Sequence, residues 1–125
     1  MRVLLDTHVL LWWLFDEPQL GSRVRSVIAN GQNEIFVSAV TVAEIAIKRS
    51  IGKLPGPDGL LSTLAEEGFQ ELPLQTTHSA LLERLPFHHR DPFDRMLIAQ
   101  AKVESLTIAS YDARVLEYEV DSITD

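Results

Sequence analysis

Short apolar runs alternate along this chain with stretches whose apolar residues recur at helical spacing. Residues 3–5 (VLL) form a run that ends at Asp6, Glu34–Ser38 (EIFVS) is rich in β-forming residues, and residues 106–109 (LTIA) are a third buried-strand candidate. Two further strands are predicted, a short edge strand within FQELPL and a last one near residues 121–124. Between them, LLWWLF reads as a helix, and Leu20, Val24, Val27 and Ile28 place a second helix that Gly31 stops. Ser38 or Thr41 caps a third helix that continues to Ile51 and ends at Gly52. Residues 52–59 (GKLPGPDG) are a predicted loop, Leu60–Glu67 a helix closed by Gly68, and residues 76–85 a helix halted near Pro86. The connection FHHR then leads to a sharp helix start: Asp91 is a good N-cap, Pro92 suits the first helical position, and Asp94 falls in the first turn, where the helix dipole favours an anion. A short helix from about Asp112 completes the series. Strands and helices alternating at this length predict an α/β fold, a parallel sheet with helices on both faces, in one domain spanning residues 1–125.

In such sheets functional groups gather at the carboxyl ends of the strands. Asp6 and Asp112 directly follow strands, Glu44 lies on the second turn of the helix after a strand, and Asp94 begins a helix that precedes one. All four are therefore predicted to face one crevice. At an effective dielectric of about 20, two carboxylates roughly 5 Å apart repel by about 3 kcal/mol, so a cluster of this kind must be protonated, paired or metal-bound. Oxygen-only donors suit Mg²⁺ or Mn²⁺, and that chemistry suits phosphodiester hydrolysis.

Composition narrows the chemistry further. The chain has no cysteine, which excludes disulfides, thiolate zinc sites and cysteine nucleophiles. A formal charge of −7 argues against broad electrostatic adhesion to nucleic acid, yet it does not exclude a nuclease whose acids are offset by a cation. Basic residues collect beside the acidic motifs: Lys48, Arg49 and Lys53 follow Glu44, and Arg90 and Arg95 bracket Asp91 and Asp94. Each is a candidate phosphate contact or part of a solvated face. The apolar stretch at residues 9–15 is too short to span a bilayer, and the expectation is a soluble, intracellular protein.

With these residues in view, the chain resembles PIN-domain ribonucleases, specifically VapC-type toxins of bacterial toxin–antitoxin pairs. The resemblance runs through LLDTHVLLWWL, SAVTVAEIAIKRSIGKL, LPFHHRDPFDRMLIAQA and LTIASYD, in that order and over essentially the full length. It implies a PIN-like three-layer α/β/α domain with a central parallel sheet, Mg²⁺- or Mn²⁺-dependent cleavage of RNA in the cytoplasm, a homodimer, and inhibition by a cognate antitoxin. Operator DNA would be bound only through the antitoxin, with no membrane role. Carried over by position, Asp6, Glu44, Asp94 and Asp112 match the family's metal-site acids. Ser110 matches the hydroxyl residue that positions a water or a carboxylate. His8 departs from the Asn that follows Asp-Thr in many relatives.

Simpler readings compete at each position. Asp6 could be a turn residue, Asp112 an N-cap, and Glu44 a partner of Lys48 four residues on, although Val42, Ala43, Ile45, Ala46 and Ile47 make an apolar neighbourhood for a solvated acid. Asp91 is read as a cap, with Asp94 as the ligand. His88 and His89 lack a spaced partner motif for zinc and either contact substrate or occupy a loop. Trp12 and Trp13 are read as core or dimer contacts rather than base-stacking surfaces. The rival functions are a DNA nuclease with the same metal core and a catalytically silent binding module acting through antitoxin-dependent operator binding. A phosphoacceptor receiver domain is disfavoured because the acidic pair expected after its first strand is absent.

Overall fold

The computed structural model describes residues 1–54 and 57–125. Pro55 and Gly56, within the loop expected over residues 52–59, lie outside the described residues. Five parallel strands form one sheet in the order β3-β2-β1-β4-β5: β1 (Arg2–Leu5), β2 (Glu34–Ser38), β3 (Gln70–Leu72), β4 (Thr107–Ala109) and β5 (Ser122–Ile123). β1 is central. It pairs Val3 with Ile35 on one side and Leu5 with Ala109 on the other.

Strand alternation sends successive β1 side chains to opposite faces. Val3 and Leu5 join a core with Val9, Leu10, Val24 and Ile28, which come from α1 (Thr7–Leu14) and α2 (Ser22–Ala29). Leu4 joins the other core with Leu97, Ile98, Ile108 and Val115, drawn largely from α6 (Pro92–Glu104) and α7 (Ala113–Leu116). Burial on both faces is why the strands read as continuous apolar runs rather than alternating ones. The three-layer arrangement expected from the sequence is the one observed. The remaining helices are α3 (Ala39–Ser50), α4 (Leu60–Glu67) and α5 (Thr76–Leu81).

The local signals explain most boundaries. Ser38, not Thr41, caps α3, its side chain accepting the Val40 N–H at 2.9 Å. Asp91 caps α6, accepting from the N–H groups of Phe93 (2.8 Å) and Asp94 (3.2 Å), with Pro92 at the first helical position. The helix expected over residues 76–85 is shorter: α5 stops at Leu81 and one 3₁₀ turn, Leu82–Arg84, follows. The cause is Arg95, whose guanidinium takes the carbonyls of Leu82 (3.0 Å), Leu85 (3.3 Å) and Pro86 (2.8 Å), so these acceptors need no further helical turn.

Asp125, which follows β5, caps α2 by accepting from the N–H groups of Arg23 (3.1 Å) and Val24 (3.0 Å), and Tyr111 Oη donates to it at 2.8 Å. A Cβ at Gly21 would lie 1.6 Å from Asp125 Oδ2 and 2.8 Å from its Cβ. Gly21→Ala therefore displaces this cap. The expected loss is about 1 kcal/mol, read as a lower urea midpoint at unchanged slope.

Candidate metal centre

Four acids reach one end of the sheet by different routes. Leu5 pairs with Ala109, which brings the next residues, Asp6 and Ser110, side by side just beyond the carboxyl ends of β1 and β4. Asp6 is also the N-cap of α1, accepting the Val9 N–H at 2.8 Å. It is buried, and burial pushes its carboxyl above the usual range although hydrogen bonds from Ser110 and Val9 oppose the shift. The buried Ser110 hydroxyl accepts the Asp112 N–H at 3.1 Å, so one hydroxyl joins two of the acids. Asp112 caps α7 through the Arg114 N–H (2.8 Å). Partial burial pushes its carboxyl up, but the Arg114 N–H and His89 outweigh that and hold it below the usual carboxylate range.

Glu44 arrives from α3 and is buried. The Thr7 hydroxyl donates to its Oε1 at 2.7 Å, and Lys48 Nζ lies 2.6 Å from its Oε2. Glu44 thus pairs with Lys48, as the simpler reading expects, and does so as a buried acid close enough to Asp94 to push that carboxyl up. The Lys48 ammonium is stabilised first by that contact, which raises its proton affinity, with smaller contributions from Asp91 and Asp94. Asp94 comes from the first turn of α6. Its carboxyl is pushed up to about 7 by burial first, then by the negative charges of Asp91 and Asp6, with Glu44 adding to them and His89 opposing.

The remaining candidates divide clearly. His89 is buried, with Nε2 3.0 Å from Asp112 Oδ2 and 3.0 Å from Asp94 Oδ2. His89, Asp94 and Asp112 each offer one potential ligand atom, all within 4.8 Å of one another. Arg95 corrects the expectation of an RNA contact. It is 7% exposed, and besides the three carbonyls already named its guanidinium donates to Tyr118 Oη (3.0 Å) and the His89 carbonyl (3.5 Å) while lying 4.2 Å from the Phe87 ring centroid. A guanidinium so enclosed cannot also reach a phosphate. Arg49 pairs with Asp58 at 2.6 Å and donates to the Pro57 carbonyl, whereas Lys53 and Arg90 are exposed. Trp12 and Trp13 pack partly buried against the core, Trp12 at 5.4 Å from the Tyr111 ring, as the packing reading expects. His8 is exposed, its ring 6.0 Å from Trp12, and exposed His88 lies edge-on to Tyr118 at 4.9 Å.

Two residues that shape the centre carry little weight in the sequence reading: Thr7 and His89. Thr7 follows Asp6 directly, and Thr41 Oγ1, 3.3 Å from Thr7 Oγ1, stands one helical turn before Glu44. A hydroxyl spaced three residues from an acid on one helix face is a signal that could have found this network.

The donor set suits a hard divalent cation. Carboxylate oxygens dominate it beside the one imidazole of His89, and burial first, then the like-charged neighbours, pushes the Asp94 carboxyl up to about 7. A cation placed among Asp6, Asp94 and Asp112 would relieve that repulsion.

A parallel α/β domain with acids gathered beyond the carboxyl ends of its central strands presents a candidate metal site at the usual position for open sheets. The sequence matches the PIN domain family over residues 3–120, and the chain belongs to that family. No protein of curated function matches it. Among solved structures it is similar to a chain of VapBC2 from Rickettsia felis, bound to a DNA fragment from the promoter, with a TM-score of 0.73, 14% identity and 98% of each chain covered. It is also similar to a chain of FitAcB from Neisseria gonorrhoeae (TM-score 0.63, 22% identity, 98% of this chain and 96% of that one). A toxin–antitoxin complex from Klebsiella pneumoniae gives a TM-score of 0.62 at 17% identity, again covering 98% of this chain and 96% of that one. No helix among the described residues is long and apolar enough to cross a membrane.

Proposed function

We propose that residues 1–125 act as one PIN domain, a metal-dependent endoribonuclease toxin that hydrolyses RNA phosphodiester bonds in the cytoplasm. The observation that carries this reading is the convergence of Asp6, Glu44, Asp94 and Asp112, with Asp94 held up to about 7 by burial and like charge. Asp6, Asp94 and Asp112 would hold Mg²⁺ or Mn²⁺, with Glu44 completing the acidic wall. When bound, the ion would polarise the phosphoryl oxygen and lower the pKa of an attacking water.

The chain's own residues supply the rest. Thr7 and Lys48 fix the two oxygens of Glu44, so its carboxylate keeps one orientation. Ser110 holds Asp6 against the strand end that carries Asp112. One of these carboxylates would help orient or deprotonate the nucleophilic water. Arg49, Lys53 and Arg90 on the surface, with Lys48 beside Glu44, are the candidates to contact the RNA backbone.

We further infer a homodimer neutralised by a cognate antitoxin, with operator DNA bound only through that partner. The antitoxin and operator readings are supported by the similarity to chains from a toxin–antitoxin complex and from a complex with promoter DNA, and the homodimer by the resemblance to VapC-type toxins. The test uses purified protein free of antitoxin, incubated with a total-RNA pool in Mg²⁺, Mn²⁺ or EDTA beside an Asp6→Asn variant. Discrete fragments are expected that require metal and vanish in the variant. Cleavage of DNA alone would favour the DNA-nuclease reading. Folded, metal-loaded protein that left both RNA and single-stranded DNA intact would return the silent binding module.

A further inference from the structure

His89 stands between two of the acids, and the atoms around its other nitrogen decide what it can do there. His89 Nδ1 faces the Asp91 N–H at 3.2 Å. A backbone amide nitrogen only donates, so Nδ1 must present its lone pair and the ring proton must sit on Nε2. That N–H is immobile, because Asp91 is the N-cap of α6 and is followed by Pro92 at the first helical position. The backbone that carries the ring is fixed as well. The His89 N–H donates to Tyr118 Oη at 3.1 Å, and the His89 carbonyl accepts from Arg95 at 3.5 Å.

A metal-ligating histidine has the opposite arrangement: one nitrogen binds the ion and the other donates its N–H to a carboxylate or carbonyl. Binding a cation through Nε2 here would put a proton on Nδ1, directly against the Asp91 N–H. We propose that His89 is a positioning residue of this centre and not one of its ligands: its Nε2–H holds Asp112 beside Asp94 and leaves the remaining carboxylate oxygens to the cation. Nε2 donates to Asp112 Oδ2 at 3.0 Å and lies equally close to Asp94 Oδ2, so one ring sets the separation of two acids on different elements. The coordination sphere is then all oxygen, which selects hard ions over zinc.

This inference rests on the metal-centre reading proposed above, and the experiment separates the two. Mn²⁺ is titrated into the full chain and followed by electron paramagnetic resonance, with pulsed measurements of nitrogen coupling on the loaded wild type. In parallel, the histidine side-chain ¹⁵N shifts of the metal-free protein identify the tautomer. Bound Mn²⁺ without a directly coordinated ¹⁴N, and an Nε2–H tautomer at His89, are expected. His89→Ala should weaken Mn²⁺ binding by roughly 10–100-fold, while His89→Gln, whose amide donates from nearly the same place, should restore most of it. A directly bound nitrogen that disappears in His89→Ala, or an Nδ1–H tautomer, overturns the proposal. Wild type that binds no Mn²⁺ removes the metal-centre reading and this role with it, whereas an Nδ1–H tautomer in protein that does bind Mn²⁺ removes this role alone. Both decisive readings are made on the wild type, so a poorly folded variant does not blunt them.

Discussion

Asp94→Asn is expected to make the metal-free protein more stable at pH 8 while removing its metal-dependent cleavage, a gain and a loss from one substitution. Burial and the neighbouring charges of Asp91 and Asp6 push the Asp94 carboxyl up to about 7 from an ordinary value of 3.8. The folded protein therefore holds this proton where the unfolded chain has released it. Between about pH 4 and pH 7 the native state binds more protons than the unfolded state, so stability falls as pH rises through that window and stays low above it. A shift of about three units corresponds to about 4 kcal/mol, and partial solvent access reduces the realised effect to about 2 kcal/mol or more. Asparagine keeps the shape and removes the charge. Urea melts at pH 5 and pH 8 should converge in the variant, apart from a residual slope of the same sign from the raised carboxyl of Asp6. Asp112, held low, acts only at more acid pH, where its protonation costs stability as pH falls.

The same argument fixes the effect of metal. Mg²⁺ or Mn²⁺ should raise the wild-type melting temperature more at pH 8 than at pH 5, because the ion competes with protons for the acids. Asp94→Asn should lose that increment, and its cleavage rate should drop by roughly 10²–10⁴-fold if Asp94 serves as the base. An Asn variant less stable than wild type at pH 8 would show that Asp94 is paired and stabilising in the folded protein. A centre that destabilises its own fold until it is used is the expected trade between stability and function.

How much of this was legible in the sequence depends on whether the determining contact is local. β1, β2 and β4 announced themselves as apolar runs because burial on both faces leaves no polar alternation to read. Asp6, Asp112 and Asp94 were visible as acids at strand ends and helix starts, and the caps at Asp91 and Asp112 are local chemistry. The strand order is carried by contacts between residues far apart in the chain, such as Leu5 with Ala109 and Ser38 with Leu72, and no short window contains it. Thr7 was hidden because a threonine beside an acid resembles any helix-start residue until Glu44, 37 positions on, accepts its hydrogen bond. His89 was left between substrate contact and loop because its partners, Asp112 and Tyr118, lie 23 and 29 residues away. Arg95 misled for the same reason: its sign and its place beside Asp94 suggested substrate, and the carbonyls that enclose it come from a segment whose helix it terminates.

Arg95 therefore carries the second large prediction, and it concerns stability rather than catalysis. Its Nη1 and Nη2 reach acceptors on Leu82, Leu85, Pro86 and Tyr118, binding residues 82–89 to α6 and to Tyr118 just beyond α7 through one buried fork. Arg95→Ala leaves the Leu85 and Pro86 carbonyls without their donor, strips one donor from the Leu82 carbonyl and from Tyr118 Oη, and opens a void beside Phe87, with an expected loss of about 3–5 kcal/mol against a total of about 5–15 for a domain of this size. Lysine is not a conservative replacement, since an ammonium is a point charge without the planar spread needed to span carbonyls on both sides. Arg95→Lys should recover less than half the loss. Because His89 hangs from the same cluster through its carbonyl and Tyr118, both variants should also weaken Mn²⁺ binding before they unfold globally. The contrary result is specific. If Arg95→Ala melts at the wild-type urea midpoint but binds RNA with a shallower salt dependence, the guanidinium meets phosphate, and the loop owes its shape to something else.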